Sequence, residues 1–415
     1  MRAVQTINLI ITVLLLWQCD TPGTVDPVYR DYFIRYYGGN GNHEAADFLL
    51  TQQGSVIMVG NVQFSPSLNR MYLVITDLQG NVIAEKPLGS NLETARDIEP
   101  VMAGPDAGNY VILSNVKKNE ADSLAIRLTV INSQGDSLKS FYYNTLASQE
   151  GYSVTPLSTG SFFVAGKTTD TDGSLNTDLA LVGLTDREDQ LVLLLNPDYS
   201  VNNISRIGGS TQGACVKILQ GAGSFYYAGY SDRLDGTEAG VASNYENNFE
   251  FRQFVVNPAS VPYQVVGTPD QGEVLAAIAR APSGNFLAIG TRLSASQSRM
   301  YGVFLTSNFT VIEGGVLPLP PGEFEGVSVC PSGGSRYLVM ANRINTNQTR
   351  DIWIGRVNSE FIIDFQTVIG GVNTDDRAAG VMELPGGDIA VLSTMDISNQ
   401  KKIALIKLRA DGNFE

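Results

Sequence analysis

Histidine is almost absent from this chain: His43 is the only one in 415 residues. That excludes a histidine-cluster metal site and leaves a histidine-dependent triad only one place to form. Tryptophan is nearly as scarce, with two residues. The repeated tryptophan that marks several families of repeat proteins is therefore missing. Basic residues are outnumbered, 28 Lys and Arg against 42 Asp and Glu, for a net charge of -14. A nucleic-acid partner is excluded, because phosphate binding needs clustered cations. After Cys19 only Cys215 and Cys330 remain, each in an apolar run of a different segment, which reads as two small hydrophobes and not as a disulfide. The phosphate-loop, dinucleotide-loop and nucleophile-elbow patterns are also absent.

The chain is rich in glycine, tyrosine and phenylalanine (42, 17 and 17 residues), which favours strands and turns over helices. A second-strand run recurs seven times, as in Ser55–Gly60 (SVIMVG), Ser161–Gly166 (SFFVAG), Asn285–Gly290 (NFLAIG) and Asp388–Ser393 (DIAVLS). The starts lie roughly 50 to 63 residues apart, a period that belongs to solenoids and propellers. Each unit reads as four strands, so the expectation is an all-β, seven-bladed β-propeller of four-stranded antiparallel blades.

Its closure is legible at the ends. Tyr32–Gly39 (YFIRYYGG) has near copies at Phe365–Gly371 (FQTVIGG) and Ile204–Gly209 (ISRIGG), whereas the last unit stops at Asp411-Gly412-Asn413. One strand is spare at the start and one is missing at the end. The N-terminal strand is therefore expected to complete the last blade, beside Arg377–Leu384, Asp388–Met395 and Lys402–Leu408, and so to hide the sheet edges. The weakest unit is the fourth, where Ala239–Phe251 is poorly apolar.

The organisation read from this is an export signal over 1–19, a polar tether over 20–31 and one propeller domain over 32–415. Arg2 and the apolar run Ile10–Trp17 make the signal, which is too short to be a membrane span. Leu16-Trp17-Gln18-Cys19 resembles a bacterial lipoprotein box, although Trp17 and Gln18 stand where small residues are usual. Cys19 is then the lipidated residue; the other reading is an ordinary cleaved signal. The strand-end Gly-Gly pairs, acidic loops and closing D-x-x-G-N turns of Tyr32–Asn413 resemble the propeller lipoproteins of Bacteroidetes-type bacteria. That resemblance implies a lipid-anchored outer-membrane protein, periplasmic or surface-exposed, that accompanies a transporter or another membrane-protein assembly. It brings no catalytic motif.

Candidate site residues come from the loops expected to open on one face of the ring. They are His43 and Glu44, Arg96 and Asp97, Glu150, Asp270, Glu325, and Asp375, Asp376 and Arg377. Convergent carboxylates there suit a cation, sugar hydroxyls or a basic partner, and a close pair suits acid–base work. The plainer reading is that these are solvated loops, His43 included. Asp170, Asp172 and Asp178 are a calcium candidate, although their spacing misses the EF-hand pattern, and Asp232, Asp235 and Gly236 make a similar, weaker case; no other cofactor is expected. Two functional readings follow. The main one is a non-enzymatic binding or scaffold subunit, with an outer-membrane protein or a glycan as partner. The alternative is a carboxylate-dependent glycan hydrolase or lyase, or a glycan-binding protein, using the channel face. The alternative calls for two or three carboxylates close together with His43 or a tyrosine nearby in a deep pocket.

Overall fold

The computed structural model describes residues 31–65, 67–117, 123–143, 148–169, 188–207, 213–221, 224–232, 247–254, 263–267, 271–294 and 297–414. The signal, Cys19, the tether before Asp31, Asp170, Asp172, Asp178 and Asp270 lie outside them.

Seven four-stranded antiparallel sheets make up the chain. Their innermost strands are Asn42–Leu50, Glu93–Pro100, Gln149–Pro156, Gly213–Gln220, Gly272–Arg280, Glu323–Ser332 and Arg377–Glu383, which number the blades 1 to 7. Blades 1 to 6 run in sequence order from the inside out. Blade 7 takes its outer strand from the other end of the chain: Phe33–Tyr37 pairs antiparallel with Gln400–Leu408, Phe33 opposite Lys407 and Tyr37 opposite Ile403. Phe365 and Ile204, from the two sequence copies of this strand, sit on the fourth strands of blades 6 and 3, so the closure inferred from the repeat is the one observed. Tyr37 seals the seam by donating its hydroxyl to the Gly80 carbonyl of blade 1 (2.9 Å), and Lys402 donates to the carbonyl of Gly38 (3.0 Å).

There is no single core. The apolar residues form seven clusters, one between each pair of neighbouring blades. Each sheet is buried on both faces, which explains why the second strands read as continuous apolar runs instead of alternating ones. Val111, Leu113, Val164 and Leu193 between blades 2 and 3 are fully or almost fully buried.

The turn that follows the third strand takes a left-handed residue, and the blades meet the need in two ways. Blades 1, 2 and 7 use Gly80, Gly135 and Gly412. At Gly135 a side chain would run into Leu73 of blade 1, so only glycine fits. Blades 3, 5 and 6 place Tyr199, Phe309 and Phe361 there, at φ of 66°, 63° and 55°. These rings turn inward and are buried: Phe309 stacks on Tyr226 and packs against Phe286, both at 4.4 Å. Burial of an aromatic side chain outweighs a left-handed strain of about 1–2 kcal/mol.

In the fourth blade, the weakest unit in the sequence, the third strand is Asn248–Phe254, and residues 233–246 are outside those described.

Candidate functional site

All seven innermost strands carry a β-bulge at the same place, between Ala45 and Asp47 in blade 1 and at the equivalent step in every other blade. A bulge turns the extra residue out of the ladder and re-aims the side chains after it. Here the seven bulges line a central channel cavity of about 460 Å³ with two rings of side chains.

In the first ring, five blades contribute Ala46, Val216, Ala276, Val327 and Ala379; the other two contribute Arg96 and Tyr152. The second ring is Asp47, Asp97, Ser153, Lys217, Ala277, Ser328 and Gly380. The two rings are thus one-sided. Blades 1 to 4 present two aspartates, a lysine, an arginine and a tyrosine, whereas blades 5 to 7 present alanine, valine, serine and glycine.

The polar wall is closely tied. Asp47 accepts the Ile98 amide of blade 2 at 3.0 Å, and Asp97 accepts the Val154 amide of blade 3 at 2.7 Å, each through one carboxylate oxygen. The two carboxyls are also hydrogen-bonded to each other. Burial and the neighbouring Asp97 push Asp47 well above the ordinary carboxylate range. Deeper in the channel Lys217 Nζ lies 3.3 Å from Glu99. Burial raises Glu99 against the pull of Lys217. Burial works against the Lys217 ammonium too, but Glu99 first and then Asp97 outweigh it and keep it charged. The Asp47–Asp97 pair thus sets a carboxyl whose acid form burial favours beside a second carboxyl, on a concave wall.

Around it runs a second pattern. The residue before each bulge offers its amide to the preceding blade, and in five junctions a side chain of that blade's second strand takes it: Asn61 to Ala95 (2.8 Å), Asn115 to Gly151 (2.8 Å), Thr291 to Gly326 (3.2 Å), Asn342 to Ala378 (2.8 Å) and Thr394 to Ala45 (2.9 Å). At the two remaining junctions the equivalent positions hold Lys167 and Tyr230. Lys167 instead meets Glu188 at 2.8 Å and Glu150 at 3.5 Å, and Glu150 also accepts from Arg96 at 2.5 Å. The Tyr152 hydroxyl is hydrogen-bonded to Tyr230, and burial raises both phenols. Both patterns break in the same sector, where Arg96, Tyr152, Lys167 and Tyr230 converge.

The sequence candidates fare unevenly against this geometry. Arg96 and Asp97 line the channel, and Glu150 holds Arg96 beside it. They are not loop residues: Arg96, Asp97, Glu150, Glu325 and Arg377 all lie within innermost strands, because the bulge lets the ladder continue through polar sequence. His43 corrects the loop reading most sharply. It is on a strand and 1% exposed, packed edge-on against Tyr72 at 4.5 Å, bonded through Nδ1 to the Gly41 carbonyl and held neutral by burial. It is not among the residues lining the cavity. Glu44 pairs with Lys401 at 2.6 Å, and Glu325, Arg350, Asp375 and Arg377 form an ion-pair chain away from the dyad. Asp376 is buried and accepts the Gly371 and Asp396 amides, which is a structural duty. Among the described residues no group of three or more His, Cys, Asp and Glu is placed to hold a metal. Sequence reasoning missed Asp47, Glu99, Tyr152, Lys167, Lys217 and Tyr230. Aligning the units on the bulge would have exposed Arg96 and Tyr152 as the exceptions to a ring of Ala and Val.

No family model matches the chain, and no curated protein does. Solved structures do. A polysaccharide lyase of family PL25, an ulvan lyase, superimposes with a TM-score of 0.57 at 10% identity over 92% of this chain and 97% of its own. The polysaccharide lyase Uly1 gives 0.53 at 7% identity over 90% and 92%. The GH93 α-L-arabinofuranosidase of Fusarium graminearum gives 0.50 at 8% identity over 80% and 99%. At these identities the likeness establishes the propeller fold, as distant relationships. It also overturns the main functional expectation. Whole-length neighbours of this ring are enzymes that act on glycans, and the channel holds the close carboxyls and tyrosine that the enzymatic alternative calls for. The reading as a non-enzymatic scaffold is corrected accordingly.

Proposed function

We propose that this chain is a carbohydrate-active enzyme that cleaves glycosidic bonds of a polysaccharide on the polar wall of its channel. The observation that carries the reading is the Asp47–Asp97 pair, two carboxyls in contact on the cavity wall, with Asp47 pushed upward by burial. Breaking a glycosidic bond requires a proton for the departing oxygen and a base for the other proton; carboxyls in mutual contact are closer than the two that flank the bond in most glycosidases, so this pair works as one relay from a single side of the bond. Asp47, whose acid form burial favours, is the proton donor; Asp97, fixed by the Val154 amide, takes the second proton, from water or from the sugar. Arg96 and Tyr152 are placed to orient the chain, and the smooth wall of blades 5 to 7 leaves room for the apolar faces of sugar rings. The lyase and glycosidase neighbours support the substrate class.

On the chain's first residues we extend the reading to place. The signal ending at Cys19 and the tether after it fit an enzyme anchored by lipid to the outer membrane of a Bacteroidetes-type bacterium, a propeller lipoprotein working on glycans at that surface.

The test is a panel of neutral and acidic polysaccharides incubated with the purified mature chain. New reducing ends are measured together with the ultraviolet absorbance of unsaturated sugars. Reducing ends alone mean hydrolysis; both signals mean elimination. If every polysaccharide remains intact, or if D47N and D97N cleave as fast as wild type, the proposal fails.

A further inference from the structure

We infer that Arg96, Lys167, Tyr152 and Tyr230 form a subsite at the edge of the channel that takes the carboxylate of an acidic sugar, so that the chain selects uronate-containing glycans. This rests on the reading that the channel acts on glycans.

The argument starts from what these positions do elsewhere in the ring. Five blades fill the bulge position with Ala or Val, and five fill the junction position with Asn or Thr that tie blade to blade. Both are structural solutions repeated around the ring. Only in one sector are they given up, Ala or Val for Arg96 and Tyr152, and Asn or Thr for Lys167 and Tyr230. Residues that abandon a stabilising role at neighbouring sites mark function.

The donors that replace them suit a carboxylate. Arg96 is 43% exposed at its side chain and lines the cavity, and its contact with Glu150 uses one terminal nitrogen, Nη2. The rest of its planar fork stays open for a second carboxylate, which it grips in two-point fashion. Glu150 shows that the place fits such a group, because its two oxygens already reach two cations, Oε1 to Arg96 of blade 2 and Oε2 to Lys167 of its own blade. Tyr152 and Tyr230 add hydroxyls beside them. The other cations on the cavity wall are engaged, Lys217 by Glu99 and Arg280 by the Gly284 and Gln220 carbonyls, so Arg96 is the open one. A neutral sugar would leave to water the part of the fork that Glu150 does not hold.

The experiment is calorimetric titration of the full mature chain carrying D97N, which removes turnover. The probes are a glucuronate tetrasaccharide, the same tetrasaccharide with its carboxyls reduced to alcohols, and a sulfated neutral tetrasaccharide. The glucuronate form is expected to bind about 10- to 100-fold more tightly than the reduced form, the span of one charge-assisted hydrogen-bonded contact. R96M should erase that preference, and R96K, which keeps charge without the fork, should retain part of it. Circular dichroism of R96M against the parent establishes that the ring is intact. Equal binding of the glucuronate and reduced forms, a preference that survives R96M, or stronger binding of the sulfated probe overturns the subsite. The two proposals fail separately. Cleavage of neutral polysaccharide without an Arg96-dependent preference leaves the enzyme and removes the subsite. An Arg96-dependent preference in a chain that cleaves nothing does the reverse.

Discussion

Asn115 tests whether the ring is held by its side-chain staples. Its Oδ1 accepts the Gly151 amide at 2.8 Å and its Nδ2 donates to the Gly151 carbonyl at 3.0 Å, across the junction of blades 2 and 3. Asn115 is 1% exposed, so no water replaces it. Asn115→Ala strips both of these backbone groups of their partner. An unmade bond to a buried backbone group costs about 1–3 kcal/mol, so the loss should be about 3 kcal/mol for the pair. Equilibrium urea unfolding of the purified variant reads this as a lower midpoint with an unchanged slope. Hydrogen exchange localises it, since the Gly151 amide should lose protection while the exposed-turn variant Asn81→Ala leaves that amide alone. A loss under about 0.5 kcal/mol, within the range of ordinary surface substitutions, would refute the reasoning.

The converse substitution, Tyr230→Asn, supplies at the blade 4–5 junction the group that Asn115 supplies at its own. Unfolding free energy should rise by about 1 kcal/mol while glycan cleavage falls, and loss of both would contradict the division between staple and site. Phe309→Gly removes left-handed strain but also a buried ring, so urea unfolding should show a net loss of about 2–3 kcal/mol; a gain would mean that strain dominates. For Asp47 the sign is set by its raised folded-state pKa. Its contribution to stability is complete below the unfolded value of about 4 and declines as pH rises toward the folded value. Wild type should therefore lose stability relative to D47N with rising pH above about 4, and a pH-independent difference in unfolding free energy would show that Asp47 does not hold the proton.

Much of the architecture was legible because it is written as period and punctuation. Seven apolar runs, their Gly-bounded turns and the spare YFIRYYGG strand are local signals, and each maps to a strand whose position the fold must respect. The site was harder for a physical reason. Arg96 and Asp97 stood out as polar residues between runs, but the direction of each side chain depends on a bulge, which shifts the two-residue alternation by one and leaves no mark in composition. Asp47 hid within HEAADFLL for the same reason, and Lys167 stood directly after the run Ser161–Gly166, which read as structural. His43 misled in the opposite direction: its neighbours Asn40-Gly41-Asn42 look like a solvated loop, yet Gly38 folds against the ring and Tyr72 covers it. Glu150 and Lys167 meet across a strand pair, a contact that pairing register sets and composition does not.

The most direct test of the account compares two buried aspartates of different position. Asp97 faces the channel and is paired with Asp47; Asp376 is buried in blade 7 on backbone amides, away from the cavity. On a polysaccharide that wild type cleaves, kcat of D97N should fall by about 10²- to 10⁴-fold, the scale of a lost acid–base group, while folded D376N retains its kcat. Equal losses in the two variants, or an unaffected D97N, would contradict catalysis at the channel wall.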